Sequence, residues 1–126
     1  MIKDNEFDLI VVGMGPSAIF LAYELIQKNS NKKVLLIEEG KRVEDRFCPI
    51  EKTGKCIKCR PFCNITSGFS GAGAFSDGKL SLYNPDDDDI YVGGNLHEYI
   101  GVDKTKALID YADSIYLKFG ADKQLE

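Results

Sequence analysis

The pattern of apolar and polar residues at the start of the chain predicts a strand, a helix and a second strand. Residues 7–12 read FDLIVV, a mostly apolar run that is typical of a buried strand. After two glycines, apolar residues recur near the helical period at Ile19, Ala22, Tyr23, Leu25 and Ile26. Polar residues 29–31 end this helix, and residues 33–37 (KVLLI) predict a second buried strand.

The turn between the first strand and the helix has the residues of a dinucleotide-binding turn. Gly13 permits a sharp turn, and Gly15 has no Cβ to keep a pyrophosphate from the backbone. Pro16 and Ser17 begin the helix, whose free N–H groups and dipole favour an anion. Ala18 is the small residue that this fingerprint needs where the helix packs on the strand. The alternative is a glycine turn joining any strand and helix, but the complete order of elements favours the nucleotide.

Glu38 ends the second predicted strand, where the ribose-binding acid of this fingerprint is expected, about 20 residues beyond the glycines. A carboxylate at this place accepts hydrogen bonds from the adenosine ribose hydroxyls and repels a 2′-phosphate. The first 40 residues therefore favour FAD or NAD over NADP.

Residues 7–42 resemble the N-terminal FAD-binding segment of flavoproteins with two dinucleotide sites, in which the fingerprint also opens the chain. Ala22 matches a small residue of that pattern. The resemblance also implies that Arg42, which follows the acid, is the basic residue near the pyrophosphate.

A closer resemblance lies further along the chain. Cys48-Pro49, residues 56–63 (CIKCRPFC) and residues 67–80 (SGFSGAGAFSDGKL) are similar to a group of bacterial FAD-dependent dehydrogenases of poorly defined substrate. Those enzymes are much longer, so the similarity covers nearly all of this chain but only the front of theirs. The resemblance implies FAD as the cofactor.

A glycine-rich stretch follows the cysteines, with glycines at Gly68, Gly71, Gly73 and Gly78. In the resembled enzymes this segment crosses under the flavin and its phosphates, which implies that Gly71, Gly73 and Ala74 contact the cofactor. A flexible surface loop is the alternative. Large apolar residues weigh against it, because solvated linkers contain few of them; they are Phe69, Phe75, Leu80 and Leu82.

All four cysteines fall within 16 residues, at Cys48, Cys56, Cys59 and Cys63. In a protein of the cytoplasm such clustering indicates metal or redox chemistry more than structural disulfides. Four thiolates suit zinc or an iron–sulfur cluster, although the last spacing is longer by one residue than in a zinc ribbon. A redox-active pair of Cys56 and Cys59, or unpaired structural thiols, are the alternatives.

The last third of the chain is interpreted as scaffold. The acidic run at residues 86–89 predicts a solvated turn, and a helix is predicted from 104 to 119 with Asp103 as its N-cap and Gly120 as its C-cap. One face of this helix is apolar and is interpreted as core; it consists of Ala107, Leu108, Tyr111, Ala112, Ile115 and Phe119. His97, the one histidine, is not assigned to catalysis, and no catalytic residue is named.

The predicted fold class is α/β, with a partial Rossmann-like βαβ FAD-binding unit, a cysteine- and glycine-rich loop region and a C-terminal helix. These divisions correspond to residues 1–45, 46–82 and 83–126. One mononucleotide-binding half needs three parallel strands, and the sequence predicts two. The chain is therefore expected to be the front of a larger enzyme, to hold FAD weakly or not at all by itself, and to form homo-oligomers.

Charge and hydropathy restrict the partners. A net charge of −4 and an isoelectric point near 5.0 argue against nucleic acid and against anionic membranes. No apolar run approaches the length of a membrane span, and charged Lys3, Asp4 and Glu6, with no long apolar run behind them, argue against a secretory leader. A cytoplasmic location is therefore expected.

Two functional classes follow from the sequence. The first is the FAD-binding portion of a flavin-dependent oxidoreductase, which transfers a hydride or electrons between an organic substrate and an acceptor, with NAD(P)H as a candidate partner of the longer enzyme. The second is a non-catalytic module that combines nucleotide binding with a cysteine-bound metal and serves assembly or sensing.

Overall fold

The computed structural model describes residues 6–76 and 95–122, which belong to two compact units, Met1–Asp77 and Gly78–Glu126. The first unit contains, in order, β1 (Leu9–Val12), α1 (Pro16–Gln27), β2 (Val34–Ile37), a 3₁₀ turn (Val43–Asp45), α2 (Ile50–Thr53) and a second 3₁₀ turn (Gly71–Phe75). The second unit contains α3 (Leu96–Ile100) and α4 (Val102–Lys118). The predicted acidic turn at 86–89 lies outside the described residues, as do Gly78, Leu80 and Leu82.

β1 and β2 form a two-stranded parallel sheet whose register runs from Leu9 opposite Val34 to Val12 opposite Ile37. The carboxylate of Asp8, just before β1, accepts a hydrogen bond of 2.7 Å from the N–H of Lys33, just before β2. This bond joins the two strand starts. The order strand, helix, parallel strand confirms the predicted elements, and the described chain is of mixed α/β class.

Both ends of α1 follow from the local sequence. Pro16 is the first helical residue, where the missing N–H costs nothing and the fixed φ angle suits the helix. After the last turn, Asn29 takes a left-handed φ of 48°, and the N–H groups of Asn29 and Ser30 donate to the carbonyls of Ile26 and Leu25. This is a Schellman motif, so the predicted helix end at residue 29 is confirmed.

The prediction that both strands are buried is wrong. The side chains of β1 alternate between half-buried and exposed, and Val12 is 82% exposed. In β2, Val34, Leu35 and Leu36 are half-buried and Ile37 is exposed. An apolar run shows that a strand can be buried, but a two-stranded sheet has too few neighbours in the described part of the chain to cover both of its faces.

The second unit differs from the prediction at the start of its long helix. Gly101, with a φ of +86°, ends α3 and immediately precedes α4, so Asp103 lies inside the first turn and is not the N-cap. There its charge still complements the helix dipole. At the other end, the helix stops at Lys118 and Phe119 is the C-cap, so the predicted C-cap at Gly120 is one residue too late. Gly120, with a φ of +98°, is the next residue, and its N–H donates to the carbonyl of Leu117.

The apolar face of α4 is core only in part. Ile115 is buried and Ala112 is half-buried, whereas Phe119 is 71% exposed. Ala107, Leu108 and Tyr111 are exposed as well. Helical periodicity identifies the apolar face correctly, but the described residues of this unit do not cover most of it.

Within residues 6–76 and 95–122, no helix combines the length and the apolar character that crossing a membrane requires.

Candidate functional site

The predicted nucleotide turn joins the end of β1 to the start of α1. Gly13 has a φ of +92°, which L-residues rarely adopt, and its N–H donates to the carbonyl of Ile37 at 2.7 Å. Gly15 is the N-cap of α1 and has an extended conformation, with φ −72° and ψ −179°. No side chain caps this helix start. Pro16 has no N–H and the N–H of Ala18 donates to the carbonyl of Gly15 at 3.1 Å, so Ser17 supplies the first helical N–H that can face an anion.

At two positions of the predicted site, neither the packing nor the backbone conformation of the described residues requires glycine. A Cβ placed on Gly15 or on Gly73 would meet no atom within 4 Å, and neither residue has a left-handed φ. A side chain at either position would therefore project into open space without clash or backbone strain. A ligand that approaches the backbone closely would account for both glycines.

Glu38 lies beside this turn and is fixed by backbone N–H groups. Its Oε2 accepts a hydrogen bond of 2.7 Å from Met14, and its Oε1 accepts one of 2.9 Å from Gly40. The N–H groups of Gly40 and Met14, with a smaller effect from the Arg46 charge, lower the pKa of Glu38 below its usual value. The side chain is thus held as a carboxylate, and its oxygens keep further lone pairs for ribose hydroxyls.

The glycine-rich stretch packs against the turn. The N–H of Ser70 donates to the carbonyl of Met14 at 2.8 Å, and a Cβ on Gly71 would lie 3.6 Å from the Cα of Gly15. Met14, itself buried, therefore links Glu38 on one side to Ser70 on the other. The structure brings together Gly15, Glu38 and Gly71, and the 3₁₀ turn that includes Gly73 and Ala74 begins at this contact.

A second close approach holds the glycine-rich stretch in place. A Cβ on Gly40 would overlap the backbone of Gly68, and a Cβ on Gly68 would lie 2.7 Å from the carbonyl oxygen of Lys41. The N–H of Phe69 donates to the same carbonyl. Glycine is therefore needed at both positions for the two segments to meet.

Arg46, which the sequence did not single out, holds together the loops beside the turn. It is 4% exposed, and its guanidinium donates at 2.6–2.9 Å to the carbonyls of four residues: Asn64, Ile65, Phe69 and Gly71. The guanidinium also lies 4.7 Å from the centre of the Phe75 ring. Arg46 thus connects the segment after β2 to the chain between Asn64 and Phe75.

Arg42, the basic residue that the resemblance implies at the pyrophosphate, lies in a different environment. Its side chain is 82% exposed and pairs with Glu44 at 3.7 Å. The described contacts do not connect it to the turn, and its role at a phosphate stays a prediction. Nothing in the sequence distinguishes Arg42 from Arg46, because both follow β2 among other charged residues.

The four cysteines line one cavity of about 140 Å³, together with Pro49, Ile50, Ile57, Lys58 and Arg60. None of the cysteines is in a disulfide. In the described parts of the chain, no three residues of the metal-ligating types are spaced closely enough to hold an ion. The backbone N–H groups of Ile65 and Thr66 lower the pKa of the Cys63 thiol, with a smaller contribution from the Arg46 charge.

His97 lies in α3, an element that the sequence did not predict. Its Nδ1 is buried and has no hydrogen-bond partner in the described structure. No described feature connects it to a substrate or a cofactor.

Comparison with known proteins finds one short similarity. An uncharacterized protein of Clostridium beijerinckii is 40% identical to this chain over 72 residues, which are 57% of this chain and 13% of that protein. The similarity thus spans a small part of the relative's length, and its name gives no activity. No family model and no solved structure matches the chain.

Proposed function

We propose that this chain is the FAD-binding portion of a flavin-dependent oxidoreductase, built around a Rossmann-like βαβ unit. The dinucleotide would lie across the turn from Gly13 to Ala18, with its pyrophosphate at the start of α1. When bound, FAD supplies the transfer of a hydride or of electrons between an organic substrate and an acceptor. The chain's own residues bind and orient the adenosine diphosphate half.

The observation that carries the proposal is the open space over Gly15 and Gly73. Among the described residues, neither the backbone conformation nor the packing requires glycine at these positions. A pyrophosphate that contacts the backbone does require it, because a side chain at Gly15 would occupy the position of the phosphate oxygens. The uncapped start of α1 supplies N–H groups and a positive dipole for the same anion.

Glu38 supports a dinucleotide over a simple phosphate. Hydrogen bonds from Met14 and Gly40 hold its carboxylate beside the turn, and they favour the ionised form. An ionised carboxylate there suits the two hydroxyls of an unmodified ribose and repels a ribose 2′-phosphate.

The proposal is tested by equilibrium dialysis of the 126-residue chain against a series of ligands. ADP-ribose should bind, because it carries the adenosine ribose and the pyrophosphate. FMN should not bind, because it lacks both the adenosine and the pyrophosphate, and NADP⁺ should bind more weakly than NAD⁺. Equal binding of FMN and ADP-ribose, or a preference for NADP⁺, would contradict the proposed site.

The four-cysteine cavity favours a second candidate, a non-catalytic module that combines nucleotide binding with a bound metal. The two candidates differ in flavin content. A longer protein that contains this chain should be purified with stoichiometric flavin absorbance if the oxidoreductase is correct. Metal and adenine nucleotide without flavin would favour the module.

A further inference from the structure

The chain contains a second place where chemistry-bearing side chains meet, the cysteine cavity lined by Cys48, Cys56, Cys59 and Cys63. Cys48 comes just before α2, and the other three lie on the segment after it. The folding of this segment, and not the sequence spacing alone, places all four around one space of about 140 Å³. The FAD proposal does not use this cavity, whereas the second candidate function does.

Sulfur is the one type of metal-ligating side-chain atom among the residues that line the cysteine cavity. Its remaining lining residues are apolar (Pro49, Ile50 and Ile57) or cationic (Lys58 and Arg60). Neither a carboxylate nor an imidazole lines it, so the oxygen ligands that magnesium and calcium prefer are missing from this lining. Sulfur ligands select soft metals such as zinc and the iron of iron–sulfur clusters.

The charges around the cysteine cavity suit the same occupant. Four thiolates with one divalent ion carry a net charge of about −2. Lys58 and Arg60 line the cavity and bring two positive charges to it. Because opposite charges attract, these two cations favour the charged complex, although solvent weakens the effect since Cys56, Cys63, Lys58 and Arg60 are exposed.

The backbone turns sharply beside this cavity. Lys58 takes a left-handed φ of 51° between Cys56 and Cys59, which turns the chain between the two thiols. In the described conformation the thiols surround the cavity at more than ligand spacing, so binding an ion requires the segment to close around it.

We propose that Cys48, Cys56, Cys59 and Cys63 form a four-thiolate site for a soft metal, either a zinc ion or an iron–sulfur cluster. Each thiol releases a proton to solvent as its sulfur bonds to the metal, and no electron is transferred in that step. With a zinc ion the site is structural, because four protein ligands leave no open coordination position on a tetrahedral ion. It would fix the segment between α2 and the glycine-rich stretch.

The test begins with the chain purified without oxygen, analysed for metal and acid-labile sulfide, and then stripped by a chelator. The stripped chain is titrated with Co²⁺ and with Zn²⁺ while thiolate-to-cobalt absorbance is recorded. We expect one Co²⁺ per chain with the spectrum of tetrahedral thiolate coordination, and its displacement by one Zn²⁺. Iron and sulfide in the purified chain, held by the same cysteines, would identify the cluster as the occupant.

Variants identify the ligands. Cys56→Ser and Cys63→Ser should each weaken Zn²⁺ binding by more than the roughly 10–100-fold that loss of an outer-shell partner costs. Glu51→Gln is the matched control, because Glu51 is an exposed acid on α2 that does not line the cavity. The Glu51→Gln variant should bind Zn²⁺ with the same affinity as the unmodified chain.

A measurement without mutation covers the case in which the cysteine variants fail to fold. Alkylation of the unmodified chain should modify all four thiols in the stripped state and none after one equivalent of Zn²⁺. Four thiols that stay reactive in the presence of Zn²⁺ would overturn the proposal. A disulfide between Cys56 and Cys59 that persists in the presence of Zn²⁺ would overturn it as well.

Discussion

At the scale of single residues, two arginines four positions apart have opposite environments. Arg42 is exposed and pairs only with exposed Glu44 among the described contacts, whereas Arg46 is buried and donates to four backbone carbonyls. A guanidinium can make these bonds because it presents several N–H donors in one plane. Arg46 should therefore contribute strongly to stability, and Arg42 weakly.

Replacing each arginine with lysine separates the two environments while keeping the charge. Arg46→Lys should lower the free energy of unfolding by about 2 kcal/mol or more, because one ammonium cannot satisfy four carbonyls and each buried orphan costs ~1–3 kcal/mol. Arg42→Lys should change it by less than about 0.5 kcal/mol, as for an exposed ion pair. Urea unfolding followed by circular dichroism measures both. Equal losses of unfolding free energy in the two variants would show that the hydrogen bonds of Arg46 to the four carbonyls do not stabilise the fold.

Glu38 gives a prediction about acid stability. Its pKa is lowered in the folded chain, so its contribution is complete above the ordinary glutamate value of about 4.3 and is lost as the pH falls through the folded pKa. Glu38→Gln should be less stable than the unmodified chain at neutral pH, and the difference should shrink toward pH 3. If the difference in the free energy of unfolding between Glu38→Gln and the unmodified chain does not change with pH, the lowered pKa of Glu38 is contradicted.

Sequence alone predicted Gly15 and Glu38 because a short local pattern places them. It did not predict Arg46 or the contact of Gly40 with Gly68, because these depend on two loops that meet across more than 20 residues. No local signal marks which charged residue after a strand turns inward. The spacing of the four cysteines indicated metal or redox chemistry, and the fold places all four around one cavity, whereas the metal remains a proposal.

At the scale of elements, β1, α1 and β2 were predictable because hydrophobic period and turn residues are local properties. The burial of the strands and of the α4 face was not, because periodicity shows which face is apolar and not what covers it. The start of α4 was misplaced for another reason. Gly101 at positive φ can end one helix and begin the next, and the sequence of α3 has no strong period to reveal it.

The end of α1 provides an element-scale test. Asn29 occupies the left-handed position of the Schellman motif, which a β-branched residue adopts at a cost of roughly 1–2 kcal/mol. Asn29→Val should lower the free energy of unfolding by about that amount, and Asn29→Gly should not lower it. Asn31→Val, two residues later in the exposed connection to β2, is the control and should have little effect. If Asn31→Val lowers the free energy of unfolding and Asn29→Val does not, then Asn29 is not the residue that ends α1.

At the scale of the whole molecule, much apolar surface stays exposed in each unit. Ile10 and Val12 are exposed on β1, and Tyr99 and Phe119 are exposed in the second unit. Apolar surface of this extent in a small chain usually associates with another chain or domain. The two predicted strands also fall short of the three that a mononucleotide-binding half contains.

We expect the 126-residue chain to form dimers or higher oligomers and to hold FAD weakly or not at all, because residues that would preorganise the flavin side are not among its described elements. It should not turn over substrate. Size-exclusion chromatography with light scattering measures the mass, and Val12→Lys should shift the distribution toward monomer. A monodisperse monomer with stoichiometric FAD would mean that these residues already form a complete domain.

The most direct test of the account is binding of ADP-ribose to the chain and to Gly15→Val. Gly15 has an allowed φ and open space around it, so valine should change the free energy of unfolding by no more than about 1 kcal/mol. Backbone NMR of the unmodified chain should show ADP-ribose shifting residues 13–18, Glu38 and Gly71, with a dissociation constant near the millimolar range, about −4 kcal/mol. Gly15→Val should remain folded and lose these shifts. If both chains bind ADP-ribose equally, or if the shifts lie away from this turn, the proposed nucleotide site is wrong.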